Sequence, residues 1–238
     1  MAISQIIPAF STVARALGAR VQDFYLQQLT VLIDIIKSHV RNYMEEILKL
    51  IDDLWSSQLL QLPIIALVES LARALDAEFR PFLSKILPKI LSVFDSDTGE
   101  KKQQTQQKVF HAMLAFGANI EEYMHLVIPI LIKTIERGES TSLRKTAVQT
   151  IDGLSRRVNF SDHSSRIIHP LVRVLPKANT ELRQAIMDTL CALVFQLGSD
   201  YAIFVPMVKK VPVVLIEVRL GLTFDLVPRC EPDPTQQV

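Results

Sequence analysis

The chain has 238 residues, 49% of them apolar and 21% charged, which is enough to bury a sizeable core and far from the profile of a disordered segment. Lys and Arg number 26 against 25 Asp and Glu, so the formal charge of +1 offers no electrostatic case for nucleic acid or an anionic membrane. Two cysteines, Cys191 and Cys230, are too few for a disulfide framework, and seven glycines are few for a protein built on tight sheet turns.

The first segment, around 6–16, reads as a helix, although its apolar and Arg-containing start also reads as a weak mitochondrial signal. FYLQQLTVLIDIIKSHVRNYMEEI (24–47) leads into a second helix over 42–55. LVESLARALDAEF (67–79) leads in turn into a helix over 79–94 that contains Pro88. After the polar stretch DSDTGEKKQQTQQ (95–107), VFHAMLAFGANIEEY (109–123) turns at Gly117 into a helix over 121–136. There Tyr123, Val127, Ile130, Leu131 and Ile135 share a face, widened by Met124 and Ile128.

RGESTS (137–142) separates that unit from 142–157, where Leu143, Ala147, Ile151 and Leu154 form one stripe and Ser142 is a candidate cap. A helix over 163–176 follows, then one capped at Asn179 or Thr180 and striped by Leu182, Ile186, Leu190 and Leu193 or Val194. The last helix spans 200–211. Residues 212–238 are apolar, β-branched and finally Pro-rich, without a helical period; they read as a divergent, partly disordered tail.

Aligning Pro8, Leu48, Pro88, Pro129 and Pro170 gives steps of 40, 40, 41 and 41, and the next equivalent position falls near Lys210. Each unit reads as polar loop, helix A, corner, helix B. A two-helix unit of that length is the size of a HEAT or armadillo repeat, which predicts an all-α solenoid over 1–211. A proline at mid-helix depth predicts a bend in helix B, repeated once per unit.

Chemistry is sparse. His39, His111, His125, His163 and His169 make no HExxH or Cys/His spacing, so no metal site is expected. Cys191 lies in LCALVF and reads as a small core residue. Glu121–Glu122, Asp76 and Glu78 fall at helix starts, where the dipole favours them. No GxxxxGK[ST], HRD or DFG pattern occurs, so no catalytic or cofactor-binding residue is nominated. Lys101, Lys102 and Lys108, with Arg144, Lys145, Arg156 and Arg157, are either solvated helix ends or a stripe suited to an acidic partner. No run reaches the ~18 uninterrupted apolar residues of a membrane span. Two function classes remain: a protein-binding scaffold, or a carrier or nucleic-acid-binding adaptor built from the same repeats.

SRIIHPLVRVL (165–175), ELRQAIMDTLCALVFQLG (181–198), YAIFVPMVKKV (201–211), FLSKILPKILSVF (82–94) and FGANIEEYMHLVIPILIK (116–133) resemble the helical-repeat region of target-of-rapamycin kinases. These belong to the phosphatidylinositol-3-kinase-related family, and the resemblance covers about residues 20–211. It implies a non-catalytic scaffold segment of a serine/threonine kinase in growth and nutrient signalling. Implied partners are an accessory subunit of the kinase and a second copy, through the solenoid ends, and not nucleic acid. The implied place is the cytoplasm or the surface of endomembranes and the lysosome. The catalytic domain of that family is not matched, and no catalytic, ATP-binding or metal residue transfers to this sequence. After Val211 the resemblance stops.

Overall fold

The computed structural model describes residues 7–9, 11–13, 18–95 and 101–208. The expected tail 212–238 and the repeat position near Lys210 lie outside the described residues, as does part of the first expected helix. Among the described residues, ten α-helices follow residue 18: α1 (Ala19–Ile36), α2 (Met44–Leu54), α3 (Gln58–Leu75), α4 (Arg80–Leu91), α5 (Lys102–Phe116), α6 (Met124–Arg137), α7 (Thr141–Ser155), α8 (Ser164–Val174), α9 (Thr180–Leu197) and α10 (Val205–Val208). No strand occurs among the described residues. Odd-numbered helices are the A members of successive pairs and even-numbered ones the B members. Each A helix packs on the A helix of the next pair, α1 on α3, α3 on α5, α5 on α7 and α7 on α9. This is a HEAT-type α-solenoid.

The helices form where apolar spacing and caps agree. In α7, Leu143, Ala147, Ile151 and Leu154 are all buried, and in α9 Leu182, Ile186, Leu190 and Leu193 are too. The cap of α7 is Ser140, not Ser142: its hydroxyl accepts from the Leu143 amide at 3.1 Å. Ser140 has the extended backbone that an N-cap needs, whereas Ser142 already lies inside the helix. Asn179 caps α9 in the same way, accepting from the Leu182 amide at 3.0 Å. Buried side chains from all five pairs join in one continuous core.

The corner within each pair is a 3-10 segment, and its first residue carries a positive φ in four of the five pairs. These residues are Lys37 (φ 50°), Asp76 (φ 47°), Gly117 (φ 57°) and Gly198 (φ 53°). Their 3-10 segments are Lys37–Tyr43, Asp76–Phe79, Gly117–Tyr123 and Gly198–Phe204. Glu121 and Glu122 therefore sit in a 3-10 turn before helix B rather than in its first α-helical turn. The tight turn demands the left-handed region, which glycine enters freely and a Cβ-bearing residue enters at a cost. Asp76→Gly is expected to raise stability by about 1 kcal/mol and Gly198→Ala to lower it by a similar amount, read as shifts of the urea midpoint at unchanged slope.

Pro88, Pro129 and Pro170 lie inside α4, α6 and α8. Pro88 and Pro129 are on the solvent face, and so are Ser84 and His125, whose carbonyls lose their helical donor. Water can reach those carbonyls, which lowers the cost of keeping a proline in mid-helix. Pro206 has a different place: it follows the first residue of α10, where a missing amide costs nothing.

Candidate functional site

Side chains tie each pair to the next at separations of 35 to 43 residues, about the length of one repeat. Arg41 pairs with Glu78, Arg80 with Glu122 and Lys89 with Asp52. Lys145 reaches Glu181 at 3.0 Å and Arg173 reaches Glu136 at 2.9 Å. Such exposed pairs are worth little singly, so they set register more than stability. The more enclosed link is Glu69 of α3, only 8% exposed, which meets Arg73 at 2.5 Å and Lys108 of α5 at 2.5 Å.

This ladder engages the basic residues that the sequence singled out. Lys102 meets Glu139 at 3.7 Å, and Arg156 meets Asp152 at 3.2 Å. Arg144 donates to the Ile135 carbonyl at 2.7 Å and Arg157 to the Leu114 carbonyl at 3.0 Å. Of the basic residues singled out, Lys102, Lys108, Lys145 and Arg156 thus meet carboxylates, and Arg144 and Arg157 meet helix-end carbonyls.

The corner without a positive φ, between α7 and α8, is closed by Gln196 of α9. Its amide donates to the carbonyls of Ser155 at 2.6 Å and Val158 at 2.7 Å, and accepts from the Phe160 amide at 3.0 Å. Sequence reasoning passed over this residue. Its only signal is the mismatch between a corner lacking glycine and a polar side chain one repeat later.

Of the histidines, His39, His111, His125 and His169 are exposed and His163 is half-buried. His125 Nδ1 contacts the Glu122 carbonyl at 3.0 Å, and His169 packs edge-on against Phe204 at 5.8 Å. No grouping of three metal-ligating residues occurs among the described residues. Cys191 is half-buried in α9, less enclosed than a core position. Burial, with a smaller contribution from Cys191, pushes the Tyr201 phenol up from 10 to about 12. The folded state therefore holds that proton after the unfolded chain has lost it, and stability should fall as pH rises from 10 through about 12. Absorbance titration of the phenolates checks this: one of the four tyrosines should ionise about two pH units late.

Two surface features remain. A groove of about 460 Å³ lies between the ends of the second, third and fourth pairs, with Phe94, Ile130 and Leu143 against Lys102, Lys133 and Arg137. Asp95, Glu139 and Ser140 line it as well. The second is an apolar stripe on α1: Val21 is 43% exposed, Phe24 57%, Val31 53% and Ile35 71%. Counted back from the corner residues, Val21, Phe24, Gln28 and Val31 stand where Leu60, Pro63, Leu67 and Ser70 stand in α3. Those four α3 residues are buried, on the face where Ser70 bonds Asp34 of α1. The α1 stripe is thus the face that a preceding helix covers elsewhere in the stack.

Two helical runs, Gln58–Phe94 and Thr180–Val208, are apolar enough to cross a membrane by length and composition. The first turns sharply at Asp76 and has 61% of its apolar window buried in the protein, as core helices do; in the second only 22% is buried.

A family profile described as stalled ribosome sensor GCN1-like HEAT repeats matches residues 50–211. The chain is 46% identical over 211 residues to the serine/threonine-protein kinase tor1 of Schizosaccharomyces pombe, covering 88% of this chain and 9% of that protein. It is 36% identical over 208 residues to TOR2 of Saccharomyces cerevisiae, with 87% and 8% covered. Against mTor of Drosophila melanogaster the identity is 37% over 210 residues, again with 87% and 8% covered. The chain thus spans under a tenth of the length of these relatives, and the match lies in HEAT repeats, without the kinase domain. The chain belongs to the GCN1-like HEAT-repeat family, and its repeats are homologous to those of target-of-rapamycin kinases.

Proposed function

We propose that this chain is a non-catalytic scaffold segment of a target-of-rapamycin-type kinase, supporting assembly in growth and nutrient signalling. The observation that carries the reading is the α1 stripe, an apolar helix face set beside repeats whose charges are met by one another. A face of this kind takes another helix, which suits association with a second copy and with an accessory subunit of the kinase. The span 1–211 acts as one solenoid, with no catalytic, cofactor or metal residue of its own. Its place is the cytoplasm, including the surface of endomembranes and the lysosome where such an assembly docks.

Affinity capture with the full chain from a lysate containing the kinase tests this. Recovery of the kinase or its accessory subunit is expected, with loss of both in Phe24→Asp/Ile35→Asp. Retention of RNA or DNA instead, insensitive to those substitutions, would favour the adaptor reading.

A further inference from the structure

One buried side chain in the groove between the second, third and fourth pairs has nothing to bond to. Gln106, in the second turn of α5, is 7% exposed and lines the groove, yet its amide makes no hydrogen bond among the described residues. Every other buried polar side chain described from residue 18 on has a partner within the protein. On the groove wall itself, Thr134 donates to the Ile130 carbonyl at 2.9 Å and Ser140 accepts from the Leu143 amide at 3.1 Å. Next to it in sequence, Gln107 donates to Ser142 Oγ at 2.9 Å. Leaving an enclosed amide unbonded costs stability, and one set in the wall of an open cleft holds a donor and an acceptor ready for a ligand.

The surroundings of Gln106 fix the chemistry of that ligand. Phe94, Ile130 and Leu143 give the groove an apolar wall. Lys133 and Arg137 stand one turn apart on α6, both exposed, and neither meets a carboxylate among the described residues. Lys102 is the third cation, against the carboxylates of Asp95 and Glu139, and Glu139 is already drawn to Lys102 at 3.7 Å. Lys101 gives α5 no side-chain cap to offset the positive end of that helix. The balance favours a negatively charged ligand. A bare anion would leave the apolar wall wet, whereas a peptide with an apolar side chain between carboxylates uses wall, amide and cations together. At about 460 Å³ the groove has the size of a small-ligand cleft.

We propose that this groove binds an acidic peptide segment of a partner protein. An apolar side chain of the peptide packs on Phe94, Ile130 and Leu143, Gln106 pairs with the peptide backbone, and Lys133 and Arg137 take its carboxylates. The groove lies on other pairs than the α1 stripe. It does not depend on the scaffold reading, since a carrier of the same fold would present it too.

Fluorescence anisotropy with the full chain tests this, using a labelled heptapeptide of one leucine flanked on each side by three glutamates. Saturable binding is expected, weakened about tenfold when glutamines replace the glutamates or glycine replaces the leucine. Gln106→Leu should weaken binding by a similar factor and leave the thermal midpoint unchanged or higher, because the amide it removes bonds to nothing in the free protein. Lys133→Glu/Arg137→Glu, both on the surface, should weaken binding as well and decides the matter if Gln106→Leu folds poorly. No saturable binding, or binding undiminished in a folded variant, would overturn the proposal. So would full competition by inorganic phosphate with the leucine dispensable, because the groove would then be a simple anion site.

Discussion

Phe79→Ala is expected to lower the free energy of unfolding by about 3–5 kcal/mol, the range for removing a buried aromatic ring. Phe79 is fully buried and lies at the corner between α3 and α4. Its ring stacks on Phe116 at the end of α5, with centroids 5.7 Å apart and planes at 16°, and touches Phe82 at 6.3 Å. The ring therefore joins the second pair to the third. In a stack where each pair contacts only its neighbours, a loss at such a junction weakens the coupling between two blocks. Urea unfolding followed by circular dichroism should show a lower midpoint and a broader transition, while Phe79→Leu should keep most of the stability. An unchanged midpoint in the alanine variant would show that the junction does not couple the pairs.

Gln196→Ala is expected to cost about 2–4 kcal/mol, because it strands an amide and two carbonyls that the side chain now satisfies. These groups belong to Ser155, Val158 and Phe160, in the corner that lacks a positive φ. Phe160 and Val158 are buried there, so water is a poor substitute. Gln196→Glu should be at least as damaging, since a carboxylate keeps the acceptor for Phe160 but faces two carbonyls without a proton to give. Thermal unfolding checks both variants, and amide exchange should localise the loss to 155–160. A cost below about 0.5 kcal/mol would mean that the corner holds itself.

Sequence periodicity carried most of the fold. The spacing of Leu143, Ala147, Ile151 and Leu154 and the recurrence of Pro88, Pro129 and Pro170 were enough for helix pairs of the right length, because burial of a stripe depends only on which residues recur. The corners were legible only where glycine marks them. Lys37 and Asp76 adopt the same left-handed backbone as Gly117 and Gly198, and no residue type announces that, since the stacked neighbours impose it. Caps were readable to within two residues: Ser140 and Ser142 are both serines ahead of one stripe, and backbone geometry decides between them.

Contacts between repeats were mostly hidden. Arg144 and Arg157 looked like a basic cluster, yet their guanidinium groups end on the carbonyls of Ile135 and Leu114, acceptors that every residue carries. The α1 stripe was hidden for another reason. Val21, Phe24, Val31 and Ile35 look like core until burial shows them 43–71% exposed. Cys191 shows the converse, an apparent core residue that the structure leaves half-open.

The central claim is that the open A-helix face of this solenoid is an assembly surface. Sedimentation equilibrium of the full chain across the micromolar range, beside Phe24→Asp/Ile35→Asp, tests it most directly. The expected result is reversible association of the wild-type chain and a monomer of unchanged helix content for the variant. A clean wild-type monomer at every concentration would contradict it.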